Sequence, residues 1–140
     1  MSKSKLFQAK DPNTSPEILS VLATDEDWYV RRGVVSNPNT SPETLSVLTT
    51  DESWTIRYEV AQNPNTPPEI LAVLATESET LSVEDVNVRR GVAENPNTSP
   101  EILQVLATDE NVDVRYEVSQ HPNATELIRR LVLMTNAQEK

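Results

Sequence analysis

The chain has 140 residues and a formal net charge of −10, with 36% apolar residues, ten prolines, two glycines, one histidine and no cysteine. Without cysteine there are no disulfides, no thiolate nucleophile and no cysteine-ligated zinc or iron–sulfur cluster, and a lone histidine cannot build a metal site. The acidity disfavours sequence-independent attraction to DNA, RNA or anionic lipid and favours a basic partner.

The opening, MSKSKLFQAK, lacks the apolar stretch of a secretory signal, and no run approaches transmembrane length, so a cytoplasmic protein with no membrane association is expected. Residues 1–10 read as an N-terminal cap or tail, with Leu6 and Phe7 covering one end of a repeated region. From Pro12 the chain states one phrase four times: PNTSPEIL, PNTSPETL from Pro38, PNTPPEIL from Pro64 and PNTSPEIL from Pro96, with a degraded copy from Pro122. A period of this size marks stacked units that cannot bury their apolar faces alone. Aligned on the Asn-Pro-Asn corner, the units run 11–36, 37–62, 63–94 and 95–120.

Each corner leads into a short helix A. Thr14 with Glu17, Thr40 with Glu43, Thr66 with Glu69 and Thr98 with Glu101 have capping-box spacing, and the prolines between them fit the first turn. In the first unit Ile18, Leu19, Val21 and Leu22 are expected to form the buried face. A break follows, then a second start capped by Asp27, Ser53, Asp85 or Asn111. Helix B carries apolar rows at Val30 and Val34, Ile56 and Val60, Val88 and Val92, and Val114 and Val118, and Asn-Pro ends it. Neither helix is long enough to be stable alone in water, so stacking must stabilise both. The third unit is longer than the others, with the extra length expected near 77–82, between its helices. Residues 121–140 close the chain, with a C-terminal capping helix apolar at Leu127, Ile128, Leu131 and Val132. The class is therefore all-α: a solenoid of short paired helices, four repeats and a capping helix.

These residues resemble the leucine-rich repeat variant family, whose units read much like NPNTPPEIL followed by VRRGVAENPNTP, over residues 11–120. The resemblance implies a right-handed superhelix of short α and 3₁₀ helices without β-sheet, similar in shape to HEAT and armadillo solenoids. Some members carry a cysteine-ligated iron–sulfur module, which cannot be transferred to a chain without cysteine. No catalytic residue comes with the resemblance; it implies binding or scaffolding.

Function is expected where the units differ. Arg31, Arg57, Arg89 and Arg115 recur in every helix B as a ladder that either pairs with acids such as Asp25, Asp51 and Asp109 or grips an anionic partner. The first and third units continue Arg-Gly, through Arg32 and Arg90, and the second and fourth continue Tyr-Glu, through Tyr58 and Tyr116. This alternation reads as an old duplication or as alternating notches along one face. Trp28, Tyr29, Trp54 and Tyr58 concentrate aromatics in the first half, either as packing or as an anchor patch, because tryptophan, tyrosine and arginine dominate binding hot spots. His121, in place of a corner asparagine, reads as a local turn or cap substitution.

The function expected is a non-enzymatic protein-interaction or scaffold module without cofactor. The partner-contact candidates are Trp28, Tyr29, Arg32, Trp54, Tyr58, Arg90 and Tyr116. The alternatives are nucleic-acid binding through the arginine ladder, or an acidic inhibitor or immunity-type protein occupying a basic partner. Oligomeric state has no signal in the sequence.

Overall fold

The computed structural model describes residues 3–76 and 82–139. Among them the regular structure is ten α-helices and no strand. Helix α1 (Lys3–Lys10) is followed by four A and B pairs: α2 (Pro16–Leu22) with α3 (Trp28–Ser36), α4 (Pro42–Leu48) with α5 (Trp54–Gln62), α6 (Pro68–Thr76) with α7 (Val83–Glu94), and α8 (Pro100–Leu106) with α9 (Val112–Gln120). Helix α10 (Glu126–Gln138) closes the array. This is an all-α solenoid; among the described residues no 3₁₀ helix forms, and i→i−3 hydrogen bonds occur at helix ends, such as Thr24 N–H to the Val21 carbonyl, and in the corners, such as Thr14 N–H to the Asp11 carbonyl.

Helices of seven to nine residues cannot persist alone, and the core shows what holds them. The A helices bury Leu19 and Leu22, Leu45 and Leu48, Leu71 and Leu74, and Leu103 and Leu106, while the B helices bury the expected valine and isoleucine rows. These side chains form one continuous core from Ala9 to Val132. Consecutive B helices pack against each other more extensively than consecutive A helices do, so the array closes up on its B side.

Several local expectations need correction. Val21 is exposed, as are its equivalents Val47, Val73 and Val105, because it points away from the core; Ile18 is exposed although its equivalents Thr44, Ile70 and Ile102 are buried, because α2 is the first A helix and has no A helix before it to cover that position. Leu127 and Phe7 are exposed as well, and α10 instead buries Ile128 and Val132 while α1 turns Leu6 inward.

Three of the four A helices are capped by serine, one residue later than the capping-box spacing predicts: Ser15, Ser41 and Ser99 accept from the amides of Ile18, Thr44 and Ile102, whereas α6 has Pro67 at that position. The threonine before each helix is buried and has another task. The hydroxyls of Thr14, Thr40, Thr66 and Thr98 donate to the carbonyls of Gln8, Val34, Val60 and Val92 at 2.5–2.7 Å, tying each corner to the last turn of the preceding helix. At the B starts, Asp27 and Asn111 cap as expected, and Ser53 is the N-cap without a side-chain hydrogen bond. In the third unit the N-cap is Ser82 rather than Asp85, which lies in the first turn. Part of that unit's extra length is helical, since α6 has nine residues against seven in α2 and α7 has twelve against nine in α3. Residues 77–81 lie outside the described residues.

Candidate functional site

The ladder arginines lie at the seams between units. Arg31 reaches forward with Nε and Nη2 to the two carboxylate oxygens of Asp51 at 2.6 and 3.1 Å, and its Nη1 donates back to the carbonyls of Asp25 and Glu26. Arg89 repeats the fork on Asp109 at 2.6 and 3.2 Å. Arg115, fully buried, donates to the Asp109 carbonyl, to Asn136 of α10 and to Glu139, the residue that caps its C-terminus. Arg57 donates to the Asp51 carbonyl and lies 3.5 Å from the Asp85 carboxylate. Lys5 of α1 takes the corresponding place before the first unit and donates to Asp25 at 2.8 Å. Each aspartate has a double task, because Asp25, Asp51 and Asp109 also accept an amide two residues on and so shape the turn into helix B. The ladder is thus held by carboxylates and by orphan carbonyls, and none of its guanidinium groups is offered to a phosphate.

The same electrostatics fix protonation. The Lys5 ammonium, and then the Asp27 amide, hold the Asp25 carboxyl below its ordinary range. The Arg31 guanidinium is held still more firmly charged, chiefly by its hydrogen bond to Asp51.

The alternation along helix B is a system of complementary shapes. Gly33 and Gly91 stand where Glu59 and Glu117 stand in the other units. A Cβ on Gly33 would lie 2.8 Å from the Ala9 methyl, and one on Gly91 would lie 3.1 Å from the Ala61 methyl and 3.2 Å from the Tyr58 ring. Glycine there lets α1 approach α3 and α5 approach α7. The other two junctions are spanned by long charged pairs, Arg32 with Glu59 at 2.6 Å and Arg90 with Glu117 at 3.8 Å. Arg90 also pairs with Glu94 on its own helix.

The corners form a second ladder that sequence reasoning missed, having assigned these asparagines to turns alone. Asn37 donates to the carbonyls of Ala9 and Asp11 in the preceding corner, and its side-chain oxygen accepts from the Asn39 amide. Asn95 does the same with Ala61, Asn63 and the Asn97 amide. The signal that could have found them was their recurrence at the unit period together with His121 in one of their places. His121 Nδ1 accepts from the Asn123 amide, so its Nε2 carries the hydrogen that is donated to the Asn95 carbonyl at 2.7 Å.

The contact candidates therefore divide. Trp28 and Tyr29 are exposed on the first turn of α3 with ring centroids 4.2 Å apart. Trp54 and Tyr58 are half-buried, with centroids 6.3 Å apart, and Tyr58 packs on the core beside Gly91. Burial, together with the nearby Glu94 charge, pushes the Tyr58 phenol up. Arg32 and Arg90 keep about half their side-chain surface in water while engaged by glutamates, and Tyr116 is 59% exposed. Tyr116 and Tyr58 occupy equivalent positions, but only Tyr58 has a glycine-bearing B helix after it. The exposed set lies along one row of B helices without forming an enclosed pocket. Among the described residues no group of three histidine or acidic side chains is placed to hold a metal ion, and no helix is long and apolar enough to cross a membrane.

The model of the family described as leucine rich repeat variant matches residues 28–53 and 86–111. The first matched segment begins at the start of α3 and the second within the first turn of α7, and each runs through the following corner and helix A, so both begin on the Arg-Arg-Gly version of the unit. No curated protein and no solved structure matches the chain.

Proposed function

Because the chain carries leucine rich repeat variant units, a repeat generally used for protein interaction, we infer that it is a non-enzymatic module binding a protein partner along the exposed row of its B helices. The observation that carries this reading is the Trp28 and Tyr29 pair. Trp28 is 36% and Tyr29 51% exposed, and the later units put Val86 and Val112 in place of the first and Asn87 and Asp113 in place of the second, so packing of the array does not require two large rings there. Rigid aromatic side chains are efficient anchors because they bring large area at little entropic cost. Arg32, Arg90 and Tyr116 extend the contact row, Trp54 and Tyr58 support its floor, and the units 11–120 act as one scaffold between the segments 1–10 and 121–140. A cytoplasmic setting belongs to this reading.

The test is affinity capture with the intact protein against a Trp28→Ala, Tyr29→Ala variant. The expected result is loss of at least about tenfold in the captured partner, in line with two hot-spot aromatics, while Val112→Ala leaves capture intact. Capture of the same partners at the same level by all three proteins would overturn it.

The charge of −10 favours a basic partner, which keeps the inhibitor or immunity-type role as the second reading. Retention on an immobilised basic nuclease, lost on raising salt, is its signature. Nucleic-acid binding through the arginine ladder has no free guanidinium to use, and a gel shift at low salt is expected to be blank.

A further inference from the structure

The corner ladder is closed at three of its junctions and open at one. Asn39 donates to the carbonyls of Pro12 and Thr14, Asn97 to those of Pro64 and Thr66, and Asn123 to those of Pro96 and Thr98. At the remaining junction, between the corners beginning at Asn37 and Asn63, Asn63 donates to the Val35 carbonyl alone. Among the described residues the Asn65 side chain makes no link to Pro38 or Thr40. A cavity of about 330 Å³ opens there, bounded by Asn37 and Pro38 on one side, Asn63 and Asn65 on the other, and Glu59. One oxygen of the Glu59 carboxylate accepts from Arg32 at 2.6 Å; the other, Oε2, is buried without any partner. A buried carboxylate oxygen left unpaired costs more than a made hydrogen bond returns, so a donor that reached it would be stabilised there.

The cause of the opening lies in the helix B alternation. Glu59 occupies the position that glycine holds in α3 and α7, so α3 and α5 are spaced by the Arg32 pair, and an asparagine at position 63 is too short to complete the ladder. The other glutamate-type junction, between α7 and α9, is closed by Asn123 and by His121, whose longer ring reaches the Asn95 carbonyl.

We propose that this gap receives the arginine side chain of a protein partner. The proposal rests on the reading of the chain as a protein-interaction module. The chain already holds Arg31 with a carboxylate of the following unit and backbone carbonyls of its own. The gap offers the same kinds of acceptor, both from the second unit: the Glu59 carboxylate of α5, and the carbonyl edge of Asn37 and Pro38 at the corner that opens that unit. A planar guanidinium fork fits a carboxylate flanked by carbonyls better than a point-charge ammonium does, and the net charge draws a cationic group in.

The probe is acetyl-arginine-methylamide, titrated into the full chain and followed by amide NMR. Saturable shifts in the millimolar range are expected, centred on Asn37, Glu59, Asn63 and Asn65, with acetyl-citrulline-methylamide at least about tenfold weaker because it lacks the charge. Asn63→His closes the gap by the means His121 uses and should abolish the shifts while thermal stability is kept. Glu59→Gln, which retains shape, should weaken them by about tenfold as well. The proposal is overturned by the absence of a localised shift, by equal binding of citrulline, by unchanged binding in both variants, or by binding of free L-arginine with none of the blocked form. None of these readouts uses the Trp28 and Tyr29 surface, so their failure leaves partner capture as a separate test of the module reading.

Discussion

Arg31 and Asp51 show how one side chain joins two units. Both are nearly out of water, with side-chain exposures of 9% and 5%, and the Arg31 fork saturates the carboxylate while its remaining nitrogen satisfies carbonyls at a break between helices. Removing one partner strands the other. Arg31→Met should therefore destabilise the fold by about 3 kcal/mol, and adding Asp51→Asn should restore at least about 1 kcal/mol, read from denaturant melts as a double-mutant cycle. Asp25 belongs to the same series but lies at the N-terminal end of the ladder, facing Lys5, and its carboxyl is held below the ordinary aspartate range. A carboxylate depressed in the folded state contributes stability above its unfolded value and loses it as pH falls through the folded one. Melting temperature measured from about pH 5 down to about pH 2 should accordingly fall less steeply for Asp25→Asn than for the parent chain. The equal slope of both would remove Asp25 from the acid response. At this scale the sequence announced the residues: the arginines and Asp25, Asp51 and Asp109 recur in phase. It did not announce direction, since the forward reach of Arg31 over twenty residues is a property of stacking.

Helix B carries the clearest element-level signal. Its two versions differ at two adjacent positions, and across the seams glycine meets alanine or tyrosine while arginine meets glutamate. Gly33 is the tighter case. The neighbouring Ala9 methyl cannot move out of the way, whereas the Tyr58 ring beside Gly91 can tilt. Gly33→Ala should thus cost about 1–2 kcal/mol even after the gain of about 1 kcal/mol in helix propensity. The loss should appear in hydrogen exchange as early opening of α1, and Ala9→Gly in the same chain should recover it. If Gly33→Ala proved stabilising, close approach of α1 and α3 would not be the reason for glycine. The alternation was legible in the sequence, but its meaning was not, because complementarity belongs to pairs of helices and each helix shows only half of it.

The molecule as a whole is a row of nearest-neighbour interfaces closed at one end by α10. Ile128 and Val132 are the side chains through which α10 seals the core, and Asn136 and Glu139 hold the last ladder arginine. In such an array a defect is felt locally and spreads by adjacency. Ile128→Ala should cost about 3 kcal/mol, and hydrogen exchange should rise in α8 to α10 well before α3 and α5. Uniform loss of protection along the chain would show instead that the solenoid unfolds as a single unit.

Periodicity by itself determined the all-α solenoid, the helix pairs, the B-helix core rows and the recurrence of an arginine at each seam. Those features follow from local propensity and from a pattern repeated at fixed spacing, both of which are written along the chain. The tertiary structure decided what each recurrent polar residue is for: threonine ties a corner to the preceding helix, asparagine bridges corners, and arginine reaches the next unit. It also decided that Ile18, Val21 and Leu127 stay in water, and which corner opens beside Glu59. These are outcomes of distance between neighbouring units, set jointly by two B helices, and no single stretch of sequence contains that distance.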